Sequence, residues 1–144
     1  MIEVAQVRPG ERGFASWLWL ATRQWPWAPL VSFVAMARSS SRVAVLIEDG
    51  IVVAGALLTA SPVNVFLRRR YREVAHRYCE NGYANLSYLV VRQSRRGQGH
   101  GRELIERIRE RDRFWLASAP GLGGFYRESG LDVSGAGEHF FVSR

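Results

Sequence analysis

Residues 86–109 read LSYLVVRQSRRGQGHGRELIERIR, and three local structures follow one another within them. Leu86 to Val91 is an apolar run suited to a buried strand. Arg92 to His100 is polar and carries glycines. From Gly101 to Asp112 the apolar residues Leu104, Ile105 and Ile108 return at helical spacing. A glycine-bearing turn that opens a helix presents unpaired backbone N–H groups at the positive end of the helix dipole. Glycine also lets an anion approach the main chain, so the stretch reads as an anion cradle.

Spacing decides which cradle it is. A dinucleotide-binding turn needs GxGxxG, and Arg102 stands where the last glycine would fall. A Walker loop needs a lysine, and the chain has none. What stands here is Arg96-x-x-Gly99-x-Gly101 behind an apolar strand.

Outward from this stretch, alternation at Ile2, Val4 and Val7 before Pro9-Gly10 predicts a first strand. The dense apolar region from Gly13 to about Arg38 is interrupted by Pro26 and Pro29, which predicts two short helices around a Trp25-Pro-Trp27 corner. Val43–Ile47 and Ile51–Leu58 read as a hairpin joined by Asp49-Gly50. Between Pro62 and Gly82, apolar residues at steps of three and four predict an amphipathic helix over Asn64–Glu80, with Arg68, Arg69, Arg70, Arg72 and Arg77 on its other face. Tyr83–Val91 is a fourth strand and Phe114–Ala117 a fifth. Leu122–Ser129 is a short helix, and Leu131–Val133 and His139–Val142 are two short strands.

The 144 residues suit one domain, with 47% hydrophobic and 12% aromatic residues for its core. The absence of a long apolar run and of a basic, apolar leader makes cytoplasmic residence the expectation. Cys79 is alone, and three histidines without HExxH or CxxC spacing point away from a metal. All 20 basic residues are arginine; against 13 acidic residues they give +7, a surface suited to phosphates.

The Arg96-x-x-Gly99-x-Gly101 signature, the order of strands and helices, and the segment Gly124-Phe-Tyr126-Arg-Glu-Ser-Gly130-Leu131 together resemble the GNAT (GCN5-related N-acetyltransferase) family over nearly the whole chain. The resemblance implies an α+β, three-layer fold over residues 1–144: a mixed sheet of about six to seven strands flanked by helices, with an extra helix between strands three and four. It implies an acyl-CoA-dependent N-acyltransferase that moves an acetyl group from acetyl-CoA to a primary amine by direct transfer. Leu89, Val90 and Val91 would lie along the pantetheine arm. Arg96, Gly97, Gln98, Gly99, His100, Gly101 and Arg102 would hold the pyrophosphate. His100's side chain is expected to face solvent at the helix start. Tyr126 matches the tyrosine that assists the departing thiolate and would also touch the coenzyme. Trp25 and Trp27 would wall the acceptor pocket.

Two positions depart from the family pattern. Ala119 stands where an asparagine often contacts the coenzyme, and the fourth strand carries no carboxylate to act as general base. Glu80 and Ser87 are the base or water-ordering candidates put forward, with His76 and Tyr88 beside them. A non-catalytic acyl-CoA-binding module, or an arginine-rich module associated with tRNA, is the alternative on the same fold. A polyanionic acceptor is the less favoured partner, no membrane contact is expected, and a homodimer is left open.

Overall fold

The computed structural model describes residues 2–29, 41–60, 69–118, 121–133 and 140–143. In chain order these form β1 (Ile2–Val7), α1 (Arg12–Gln24), β2 (Arg42–Glu48), β3 (Ile51–Thr59), α2 (Arg69–Glu80) and β4 (Ala84–Val91). A 3-10 turn (Gln93–Arg95) then leads to α3 (His100–Arg109), β5 (Phe114–Ala117), α4 (Gly123–Glu128), β6 (Asp132–Val133) and β7 (Phe140–Val142). The extra helix between the third and fourth strands is therefore present as α2. The expected second helix towards Arg38, the start of the inserted helix through Arg68, Ala119 and His139 lie outside the described residues.

The strands make one seven-stranded sheet in the order β1-β2-β3-β4-β5-β7-β6. Its pairings are antiparallel except for β4 with β5. The Asp49-Gly50 link is the two-residue turn its sequence announces: both residues have positive φ, 51° and 79°, which matches strand twist in a hairpin.

Alternation along the strands sorts the core into two faces. Ala44 and Leu46 of β2, Leu86 of β4 and Phe114 and Leu116 of β5 join Leu104, Ile105 and Ile108 of α3 and Tyr126 of α4. Val43 and Val45 point the other way, against Phe14, Trp17, Leu20 and Ala21 of α1. Trp115, between Phe114 and Leu116, packs with Tyr71 and Ala75 of α2 and with Phe140, whose ring it stacks at 5.1 Å. Helices thus cover both faces of the sheet, giving three layers.

Trp17 anchors α1. It is fully buried, and its indole lies over Gly55 of β3, in the volume a side chain at that position would fill. Gly55→Ala should therefore destabilise the fold by about 1–3 kcal/mol through overpacking. Trp17→Phe shortens the ring and makes room. Denaturant unfolding of the double variant should give a loss clearly smaller than the two single losses added; simple additivity would show that the indole does not depend on the missing β-carbon.

Candidate active site

β4 pairs with β5 only at Ala84↔Phe114 and Asn85↔Trp115. β5 continues with β7 through Ala117↔Phe140, while β4 continues with β3 through Val91↔Ala54. From Leu86 onward the two neighbours part, and among the described residues one edge of β4 has no strand beside it. Backbone N–H and C=O groups along such an edge are available to an extended ligand. Midway, Gly55↔Val90 gives way to Leu57↔Ser87, so β4 carries an extra residue, and Tyr88 sits at φ 51°. This is a bulge, which bends the strand locally.

The aromatic residues gather at the bulge. Trp25 meets Tyr88 edge-on at 5.1 Å between ring centroids. Burial pushes the Tyr88 phenol up, and a hydrogen bond with Trp27 partly offsets this. Trp25 and Trp27 are thus brought to the middle of β4. Tyr88, named in the sequence only as a water-ordering candidate, is the residue that joins them.

Beyond Val91 the chain turns through Gln93–Arg95 into the glycine loop. Gly97 and Gly99 take φ 78° and 82°, the left-handed region where a side chain is strained. A β-carbon at either would meet no other atom within 4 Å, so the loop surface there is open. Gly101 is needed for a different reason: a β-carbon would come within 3.1 Å of Phe125 Cζ and 3.2 Å of Val91 Cγ2. Gly99 is the N-cap of α3 and offers no side-chain cap. The first main-chain bond of the helix is Glu103 N–H to Gly99 O at 2.9 Å. The N–H groups of His100, Gly101 and Arg102 precede it and have no acceptor within the helix.

His100 corrects an expectation. Its side chain is 6% exposed rather than solvent-facing, packed with Nε2 3.5 Å from Glu48 Oε2. Glu48 accepts a hydrogen bond from Arg95 Nη1 at 3.0 Å, whereas His100 Nε2 has no hydrogen-bond partner among the described residues. One carboxylate at the end of β2 therefore meets both Arg95 and His100, on either side of the glycine loop in sequence. Arg102 pairs with Glu106 at 3.1 Å on the exposed side of α3, whereas Arg96 donates from Nε to Val91 O at 3.2 Å and is set at the strand-to-loop junction.

Tyr126 stands in α4, its ring 5.1 Å from Phe125 and 5.5 Å from Phe141. It is 7% exposed, and burial pushes its phenol up to about 12. Its hydroxyl has no hydrogen-bond partner among the described residues. Ser87 is half-buried and donates to Asn85 Oδ1 at 3.1 Å. Glu80 is exposed at the end of α2, which leads to the start of β4 and not to the loop. Among the described residues no hydrogen bond or ion pair joins Glu80, Ser87 and Tyr126. Cys79 packs beside Trp115, whose indole N–H donates to its sulfur at 3.4 Å, and burial raises its thiol. Among the described residues no group of histidine, cysteine or carboxylate side chains could hold a metal. No described helix is long and apolar enough to cross a membrane.

No family model and no curated protein matches the chain. Solved structures do. An acyl-CoA N-acyltransferase from Pseudomonas aeruginosa superposes with a TM-score of 0.61 at 16% identity, covering 99% of this chain and 97% of its own. A GNAT family acetyltransferase from Elizabethkingia anophelis with acetyl-CoA bound gives 0.60 at 11%, covering 92% of this chain and 77% of its own. Glucosamine-6-phosphate N-acetyltransferase from Arabidopsis thaliana gives 0.58 at 12%, covering 93% of each chain. With its parted β4 and β5 and its glycine loop capping α3, the chain has the fold of the GNAT acetyltransferases.

Proposed function

We propose that the chain is an acyl-CoA-dependent N-acyltransferase that moves an acetyl group from acetyl-CoA to a primary amine by direct transfer. The observation that carries this reading is the continuity of the unpaired edge of β4 with the open N–H groups of the loop. One suits an amide-bearing arm and the other a pyrophosphate, in the order in which the coenzyme presents them.

Acetyl-CoA supplies the activated acyl group as a thioester. Leu89, Val90 and Val91 offer backbone partners to the pantetheine arm along the free strand edge. Gly97, Gln98, Gly99, His100, Gly101 and Arg102 direct main-chain N–H groups at the pyrophosphate, and Arg96 adds charge at the junction. Trp25, Trp27 and Tyr88 wall the acceptor beside the bulge. The amine nitrogen attacks the thioester carbonyl, a C–N bond forms, and the C–S bond breaks with its electron pair on sulfur. The amine's proton must leave to water or a base. Ser87, already donating to Asn85, presents its oxygen as an acceptor to such a water, and Glu80 is the nearest carboxylate in sequence to the start of the strand.

Tyr126 assists the leaving sulfur, and its burial defines how. A phenol at about 12 facing a thiol that titrates near 8.5 would lose on the order of 5 kcal/mol by handing over its proton. It therefore stabilises the developing thiolate by donating a hydrogen bond.

CoA should raise the unfolding temperature of the protein. Gly99→Ala and Gly101→Ala should each weaken CoA binding about tenfold or more, the first through left-handed strain of about 1–2 kcal/mol, the second by displacing Phe125 or Val91. Calorimetric titration checks this, and wild-type affinity in both folded variants would remove the cradle. Stabilisation by CoA with no CoA release across a panel of amines would make the chain a binding module, not an enzyme.

Tyr126→Phe should leave CoA affinity in place and lower turnover about 10²–10³-fold. It should also change the alkaline limb of stability. The folded phenol keeps its proton to about pH 12 and an unfolded one loses it near 10. The contribution is thus complete below about pH 10 and vanishes as pH rises to about 12. Wild type should lose more stability than Tyr126→Phe across that window, and equal losses would show that the phenol is not held protonated by burial.

A further inference from the structure

Three side chains outside the transfer chemistry converge where the glycine loop meets the sheet. Glu48 ends β2, Arg95 ends the 3-10 turn before the loop, and His100 opens α3 after it. Arg95 Nη1 donates to Glu48 Oε2 at 3.0 Å, and His100 Nε2 stands 3.5 Å from that same oxygen. His100 is 6% exposed, and its Nε2 has no hydrogen-bond partner among the described residues. A buried ring nitrogen that faces a carboxylate oxygen without bonding to it is an unfinished contact. A proton finishes it, because an imidazolium donates from both ring nitrogens and attracts the carboxylate.

The other ionisable groups nearby are committed or turned away. β3 carries none, and the one on β4, Tyr88, packs on the α1 side of the sheet. On α3, Arg102 is bonded to Glu106 and Arg107 to Glu103. Arg92 and Arg96 are braced on the carbonyls of Val52 and Val91. Asp49 is exposed, as are Arg127 and Glu128 of α4, which meets Gly101 through Phe125. Glu48 and Arg95 cancel as a pair, so a positive charge on His100 has no uncompensated partner until an anion arrives. The inference rests on the acyltransferase reading, in which a pyrophosphate settles on the N–H groups that begin at His100. We propose that His100 takes up a proton when the coenzyme binds, and that the imidazolium, anchored on Glu48, fixes the first turn of α3 for the pyrophosphate. Glu48 then holds both ends of the glycine loop, through Arg95 and through His100. The two are positioning residues, since neither side chain touches the reacting atoms. Because the bound form holds more proton, affinity is greatest at low pH and falls as pH rises through the imidazole range of about 5–8.

Proton uptake is read directly by titrating the protein calorimetrically in two buffers of different ionisation enthalpy. Dephospho-CoA is the probe, because it lacks the terminal phosphate monoester, which itself titrates near about 6. Wild type should take up a proton on binding, and its affinity should fall by about tenfold from roughly pH 6 to roughly pH 8. His100→Gln keeps the main-chain N–H and an amide donor for Glu48 but cannot gain a charge. It should bind with no buffer dependence attributable to uptake and with affinity nearly flat across the same range. Glu48→Gln should also lose most of the uptake, and should bind more weakly at both ends of the range because Arg95 loses its partner. A side chain that served packing alone would change affinity in the variants but show no proton uptake in wild type. Wild-type binding without uptake, or uptake undiminished in either variant, overturns the inference while coenzyme binding stands. Should His100→Gln fail to fold, wild type and Glu48→Gln decide by the same readout. A wild type that binds neither CoA nor dephospho-CoA overturns the acyltransferase reading and this inference with it.

Discussion

The parting of β4 from β5 is the constraint on which the site depends. Two adjacent parallel strands ordinarily continue to pair, because an edge left open exposes main-chain donors and acceptors. Here each strand is committed elsewhere: β4 to β3 through the bulge at Tyr88, β5 to β7 through Ala117. The gap is held by packing on the α3 and α4 side. Phe125 wedges against Gly101 and Val91, and Arg109 donates from Nη1 to Gly130 O at 3.1 Å, tying the end of α3 to the turn after α4. Glu48 steadies the loop from the β2 side through Arg95. The opening is thus fixed by elements on three sides, and a ligand entering it finds backbone groups already oriented.

Much of this architecture was legible in the residues. The period of two in β2 and β3, the Asp49-Gly50 turn and the helical spacing of Leu104, Ile105 and Ile108 are local signals, and they became the elements they announce. The glycine-bearing turn before α3 was legible too, but as an approach for an anion; that Gly97 and Gly99 are left-handed is seen only in the structure. What escaped was set by tertiary neighbours. Nothing local distinguishes Trp17, wholly buried, from Trp19, more than half exposed, until the sheet decides which side of α1 it covers. Tyr88 has a residue type that favours strands, yet the bulge drives it to positive φ. His100 looks like a polar helix start, yet it is buried, with Glu48, fifty-two positions earlier in the chain, 3.5 Å from its Nε2.

The electrostatics follow from a chain whose only side-chain cations apart from histidine are guanidinium groups. Arg92 and Arg96 brace backbone carbonyls through Nε, which leaves each two further nitrogens for an oxyanion, as an ammonium cannot do in the same geometry. The absence of lysine has a second effect under the acyltransferase reading. A chain working beside a reactive thioester offers no side-chain ε-amine of its own to be acylated.

The seating of Trp17 over Gly55 reaches further than core packing. An indole in a socket left by a missing β-carbon acts as a dowel: it stops α1 from sliding along the sheet and from rolling about its own axis. Trp19 and Arg23 lie two and six residues further along the same rigid rod, on the side turned away from the socket. The exposed pair Trp19 and Arg23 therefore takes its alignment from a glycine buried in the middle of the sheet. A lineage that filled Gly55 would misalign that pair without touching either residue.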